Sequence, residues 1–281
     1  MQNLVFLAVL FAAACHAGWN ALIKIGLDPL PATTLIAAGS GVVGLVCLPL
    51  FGMPQAGAWP WLIASAVIHL FYFAALIESY RTGDLGQVYP IARGAAPLMT
   101  AGASALFVGE ELSAGGWSGI ALLAGGVLLL SARGGRGLAS LDRRAVGFAL
   151  LTALTICAYS VVDGIGARAS RNPQAYVLWL LIGNAALLLP YALWRDGGKV
   201  LPVMQRFWLR GLTGGVLQTL SYGIALWAMT LAPIAIVASL RETSVLFGAA
   251  IAVGVLKEPL RPVRIVAALL IVAGLVVIRL Q

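Results

Sequence analysis

Apolar residues occur along this chain in stretches of about twenty, separated by short polar breaks, the pattern of helices that cross a lipid bilayer. The stretches fall near 3–25, 30–51, 59–80, 85–108, 112–132, 145–166, 173–194, 207–230, 233–256 and 262–280, which predicts ten transmembrane helices. The strict polar/apolar alternation of a membrane β-barrel is absent. Several connections are only a few residues long, so successive helices should be antiparallel neighbours. The expected fold class is all-α and polytopic.

The longest polar break, 133–144, lies at the middle of the chain and reads Arg-Gly-Gly-Arg-Gly-Leu-Ala-Ser-Leu-Asp-Arg-Arg. It divides the sequence into a first half, 1–132, and a second half, 145–281, and the two repeat. A shift of 148 places Arg93 on Arg241, Glu110 on Glu258, Leu112 on Leu260 and Gly126 on Gly274. Apolar matches are cheap in such a chain, but two charged matches with the same separation are not. A shift of 143 sets His16 and Asn20 against Tyr159 and Asp163. Five spans per half is an odd number, so the second half must enter the membrane inverted relative to the first. Inverted repeats of this kind are the architecture of secondary transporters, with the substrate site near the midplane between the halves.

Composition agrees with lipid as the solvent. Of 281 residues 61% are hydrophobic and 10% charged, against about 25% charged in soluble domains. The net charge of +8 sits mostly in the connections, a footprint of topology rather than of nucleic-acid binding. The connections from odd to even spans hold Lys24, Arg81, Arg133, Arg136, Arg143, Arg144, Arg195, Lys199, Arg206, Arg210, Lys257, Arg261 and Arg264, while the other side has only Arg168, Arg171 and Arg279. That bias places the first side in the cytoplasm and both termini outside. Leu4 to Ala14 resembles the core of a signal peptide, but no basic residue precedes it. The repeat also needs this segment as a span, so no cleavage is expected. Cys15, Cys47, Cys157, His16 and His69 lack metal-ligand spacing, so no metal or other cofactor is expected. Without a nucleophile–base pair or a phosphate-binding glycine motif, an enzyme is not expected either.

Ionisable groups deep in a span are expensive and mark function. The deep ones are Arg93, Asp163, Arg241 and Glu242. Tyr89, Arg93 and Pro97 share one helix face, and Pro90 and Pro97 each remove a backbone donor, predicting an interruption there. Two readings stand. Either Arg93 and Arg241 converge on an anionic substrate group, for which a guanidinium fork is suited, or they pair with Asp163 and Glu242 and hold the halves together. In the first span His16, Asn20 and Lys24 recur every four residues beside Trp19, and Tyr159 and Asp163 form the corresponding stripe in the sixth. Both read as cavity lining. Lys24, Glu78, Glu110, Glu111 and Glu258, nearer the span ends, read as anchors or turn residues.

His16-Ala-Gly-Trp-Asn20, Tyr89-Pro-Ile-Ala-Arg-Gly94, Gly109-Glu-Glu-Leu112, Arg241-Glu-Thr-Ser244 and Lys257-Glu-Pro-Leu260 together resemble the EamA group of the drug/metabolite transporter superfamily over nearly the whole chain. The resemblance implies two five-helix repeats around a central cavity and alternating access. It also implies proton-coupled export or exchange of a small metabolite, here anionic or zwitterionic, by a multi-pass protein of a bacterial inner membrane, as monomer or homodimer. Many relatives have cytoplasmic termini, opposite to the charge bias. The partners expected are a small-molecule substrate, the lipid bilayer and protons. A flippase for a lipid-linked polar group and a non-transporting scaffold are the alternatives.

Overall fold

The computed structural model describes residues 2–23, 27–82, 85–130, 143–254 and 262–280. Lys24, the stretch 131–142 and Lys257 to Leu260 lie outside the described residues, as does the side chain of Tyr89. Every element among the described residues is helical: α1 Asn3–Ile23, α2 Pro29–Phe51, α3 Trp59–Thr82, α4 Leu85–Ala103, α5 Ala114–Leu129, α6 Arg143–Ser170, α7 Pro173–Met229, α8 Ile234–Arg241, α9 Ser244–Gly254 and α10 Pro262–Arg279, with short turns of other helix types at Ala56–Ala58 and Ser104–Val108. Among the described residues eight helical runs are long and apolar enough to cross a membrane, and Ala114–Leu129 is a shorter apolar one.

The packing is inside-out relative to a soluble protein. Large apolar side chains face outward at helical spacing, as with Leu4, Leu7 and Phe11 on α1 or Leu269, Val272 and Val276 on α10. Between helices the small residues approach closely, the way helices associate in lipid. On α2 a Cβ at Gly39 would lie 2.0 Å from the carbonyl oxygen of Gly211, so only glycine fits there.

The helix α7 cannot be one rod. Its 57 residues would span about 86 Å if straight, nearly three bilayer cores. Asp196 (φ −151°, ψ 45°) and Phe207 (φ −117°, ψ 22°) break it into two arms. Gly41 and Gly44 of α2 meet Ala185 and Ile182, so the first arm runs antiparallel to α2. Gly211 meets Leu35 and Gly215 meets Gly39 and Ser40, so the second arm runs parallel to it. The arms therefore double back on one another, in line with the expectation of separate spans at 173–194 and 207–230.

Two departures from the expected elements bear on function. The interruption foreseen at Pro90 and Pro97 is not seen, because α4 runs through both prolines and closes in a turn of π-helix at Ser104–Val108. A proline inside a helix removes one bond and bends the rod without ending it. The break occurs instead in the span expected at 233–256, which divides into α8 and α9. There Glu242 N–H donates to Ser239 O (3.0 Å) and Thr243 N–H to Leu240 O (3.1 Å), three residues back instead of four. The hydroxyls of Ser239 and Thr243 also bond to backbone carbonyls of their own helix, which bends a helix.

Candidate functional site

Charged and aromatic side chains meet at the centre of the bundle, from α1, α3, α4, α6, both arms of α7 and α8. Arg93 on α4 is 4% exposed. Its Nε lies 2.7 Å from Glu242 Oε2, and its Nη2 donates to His16 Nε2 (3.0 Å) and to Ser244 Oγ (3.2 Å). A guanidinium only donates, so His16 must present Nε2 as a lone-pair acceptor, which makes it neutral here. The break between α8 and α9 positions this cluster, since Glu242 and Ser244 flank the turn where the helix tightens.

Asp163, fully buried on α6, forms no ion pair with an arginine among the described residues. Its carboxylate accepts from the hydroxyl of Tyr176 on the first arm of α7 (2.9 Å) and from the hydroxyl of Tyr222 on the second. Arg241, last residue of α8, is 6% exposed and lies with its guanidinium carbon 4.9 Å from the centre of the Tyr222 ring. Among the described residues Arg241 forms no ion pair, and its buried Nε–H has no acceptor. Tyr222 thus separates a buried cation on its ring face from a buried anion at its hydroxyl. The ring quadrupole compensates the cation in part, by about 2 kcal/mol when desolvated.

An aromatic cluster adjoins the charges. His69 on α3 stacks on Tyr159 with ring centres 4.3 Å apart, and Tyr72, Phe73 and Tyr222 surround it. Its Nδ1 is 2.9 Å from Ser65 O and 3.1 Å from Ser65 Oγ. A cavity of about 10 Å³ opens among Arg93, Pro97, Tyr159, Ser160, Arg241 and Glu242. That is room for one water, so any metabolite bound here requires the helices around it to separate.

Of the residues singled out in the sequence, Arg93, Tyr159, Arg241 and Glu242 line one cavity. His16 joins it through Arg93, and Asp163 through Tyr222 and the neighbouring Arg241. Trp19 packs edge-on against His16, ring centres 4.9 Å apart. Asn20 is not drawn in: its amide donates to His16 O of its own helix (2.8 Å). Tyr176, Tyr222, His69 and Ser244 were missed. Ser65, His69, Tyr72 and Phe73 recur every three or four residues along α3, the same stripe signal that drew attention to the first span. Tyr222 and Tyr176 had no such signal, since no charged residue stands at helical spacing beside either on its apolar span.

At one end of the bundle Glu110 ties α6 to the start of α8. Its Oε1 accepts from Arg168 Nη2 (2.6 Å) and from Ile234 N–H (2.8 Å), and its Oε2 from Ala235 N–H (3.4 Å). These are unsatisfied donors at the start of α8, where a carboxylate is favoured by the helix dipole. Arg168 also donates to Met229 O and Ala232 O. Glu110 is thus more than an interfacial anchor, because it holds the helix that carries Arg241. The opposite end carries the exposed pairs Lys199–Asp28 (3.3 Å) and Arg195–Glu78 (3.5 Å).

A protein of known crystal structure is similar over 99% of this chain and 96% of its own, with TM-score 0.74 at 20% identity, a likeness of fold. No curated protein sequence matches the chain. The model of the EamA-like transporter family matches residues 3–132 and again residues 143–280. With its apolar helices and its buried, charged centre, this chain is a member of the EamA-like transporter family, a multi-pass membrane transporter.

Proposed function

We propose that the chain is a secondary carrier that exports or exchanges a small metabolite through a carboxylate or phosphate group, which docks on Arg241 at the central cavity. The observation that carries this reading is that Arg241, among the described residues, forms no ion pair, the nearby Glu242 being bonded to Arg93. Leaving a guanidinium buried without a counter-ion costs several kcal/mol, and an anionic ligand removes that cost. Both buried carboxylates are already engaged, Glu242 by Arg93 and Asp163 by two tyrosines. The site therefore offers a cation and no free anion.

Alternating access would proceed between two inverted halves, 1–132 and 145–281. Contacts between α5 and α10 support this arrangement. Gly119 lies against Gly274, and Gly126 against Ala267. With the 148-residue shift each glycine meets the repeat mate of the other, the reciprocity of a two-fold axis. The Glu110–Arg168 lock would close one end while the other opens. Asp163, bonded only to neutral hydroxyls, is the group we assign to a coupling proton.

A second reading, a flippase for a lipid-linked polar group, draws on an apolar groove of about 420 Å³ between α3 and α6, lined by Ile68, Phe71, Leu151 and Leu154. Thermal stabilisation of the purified protein against a panel of metabolites identifies the ligand, and counterflow in proteoliposomes then tests transport. Stabilisation by small carboxylates or phosphates, lost in Arg241→Ala, is expected. Stabilisation only by cations, or by amphiphiles alone, would overturn the anion site and in the latter case favour the flippase.

A further inference from the structure

The connection between the two arms of α7 carries charges that the transport site does not use. Its ten residues, 197–206, lie between the non-helical positions Asp196 and Phe207. Lys199 reaches Asp28 just before the start of α2, and Val200 is fully buried against the cluster of Leu30, Phe73 and Leu188. These contacts fix the segment at the rim of the bundle end opposite the Glu110 lock. Around it stand Trp194 (83% exposed) and Trp208 (58%), with Leu201 and Leu209 also exposed. Exposed tryptophans flanking apolar surface are what the headgroup level of a bilayer selects.

Among the described residues four cations belong to this turn of α7, Arg195, Lys199, Arg206 and Arg210, and they differ. Arg195 has Glu78 and the Tyr191 hydroxyl, and Lys199 has Asp28 and Asp196. Arg206 and Arg210 have only a ring between them: their guanidinium carbons lie 5.3 and 4.9 Å from the centre of Phe207. Among the described residues neither forms an ion pair. The shared ring holds both planar forks within 5.3 Å of its centre beside an apolar, Trp-flanked surface, in a chain that is surrounded by phospholipid. Guanidinium forks match phosphate oxygens.

We infer that Arg206 and Arg210, ordered on Phe207, form a binding site for the phosphate headgroup of an anionic phospholipid, whose acyl chains lie along Leu209 and the lower part of the second arm. The bound lipid braces the turn between the arms, and through it the second arm that carries Tyr222. Basic residues near a membrane surface gain about 1 kcal/mol each from anionic lipid.

The test is thermal unfolding of the full chain in nanodiscs of phosphatidylcholine, with and without phosphatidylglycerol. Phosphatidylglycerol should raise Tm by roughly 4–8 °C. Arg206→Gln with Arg210→Gln should abolish that increment while leaving Tm in phosphatidylcholine unchanged, and Lys199→Gln should leave the increment intact. The site is wrong if the double variant keeps the full increment, or if inorganic phosphate added to phosphatidylcholine discs reproduces it, which would mark a soluble-anion site. The readout needs no transported substrate, so it stands or falls apart from the role of Arg241.

Discussion

Arg93 and Arg241 occupy equivalent places in the two halves of the sequence, 148 residues apart, and live in different chemical worlds. Arg93 is held by Glu242, His16 and Ser244. Arg241 has a tyrosine ring. The asymmetry originates next door. The second half has Glu242 after its arginine, whereas the first has Gly94. A Cβ at Gly94 would come 2.5 Å from Leu128 and 3.1 Å from the carbonyl of Ala124, so α5 leaves no room for a carboxylate there. One carboxylate therefore serves two arginines, and the arginine across the interface takes it. Packing turned one cation into a strut and left the other, among the described residues, without an ion pair, which is why the ligand is proposed to dock there.

The largest expected effect comes from removing the strut. Arg93→Leu removes the ion-pair partner of buried Glu242 and leaves it only the field of Arg241, which should cost up to about 3–5 kcal/mol of stability. Arg93→Leu combined with Glu242→Leu should cost less than either change alone, because no charge is then stranded. Unfolding of the purified protein in lipid discs measures both. If the single variant is as stable as the parent, Arg93 is not structural and the contrast between the arginines collapses.

Arg241→Ala should act on ligand rather than on stability. Losing charge-assisted hydrogen bonds to an anion costs about 2–3 kcal/mol, roughly 30–150-fold in affinity for the metabolite found in the stabilisation screen. Thermal stability without ligand should not fall and should tend to rise, since no partner is stranded and a buried charge without an ion pair is removed. Arg241→Lys keeps the charge without the fork and should recover only part of the affinity. An affinity loss from Arg93→Leu, but none from Arg241→Ala, would exchange the roles.

Tyr222 separates the two contributions around Arg241. Tyr222→Phe keeps the ring under the guanidinium and deletes a donor to Asp163, so about 1–2 kcal/mol of stability should go. Affinity should stay within about threefold. Tyr222→Leu removes the ring as well, and affinity should then change further. If Phe and Leu behave alike in binding, the ring does not position Arg241.

Span lengths, family membership and the deep charges were legible because they depend on local composition and on residue types that a bilayer punishes. What decides the site was not local. Asp163 finds Tyr222 at a separation of 59 residues: the fold-back of α7 was legible in its two apolar runs, but which of their side chains face α6 was not. The helix break after Arg241 was misplaced onto Pro90 and Pro97, since proline is a visible breaker whereas the Ser239 and Thr243 back-bonds show only in three dimensions. Glu110 looked like a turn residue because its partners, Arg168 and the start of α8, come from the other half.

The smallest effect is expected at Asn20, the repeat counterpart of Asp163 under the 143-residue shift. Here too the mates diverge: Asp163 binds across helices, while the Asn20 amide turns back onto the carbonyl of His16 in its own helix. A back-bond of this kind replaces nothing that the helix lacks, so Asn20→Ala should cost less than about 1 kcal/mol. Ligand affinity should remain within about twofold. His16→Ala provides the contrast on the same stripe, because it removes the acceptor that Arg93 uses. Should Asn20→Ala reduce affinity tenfold while stability holds, the side chain must swing into the cavity when the helices separate. The first half would then contribute a neutral polar contact to the ligand facing the cation from the second, and the division between strut and binding cation would belong to the closed state alone.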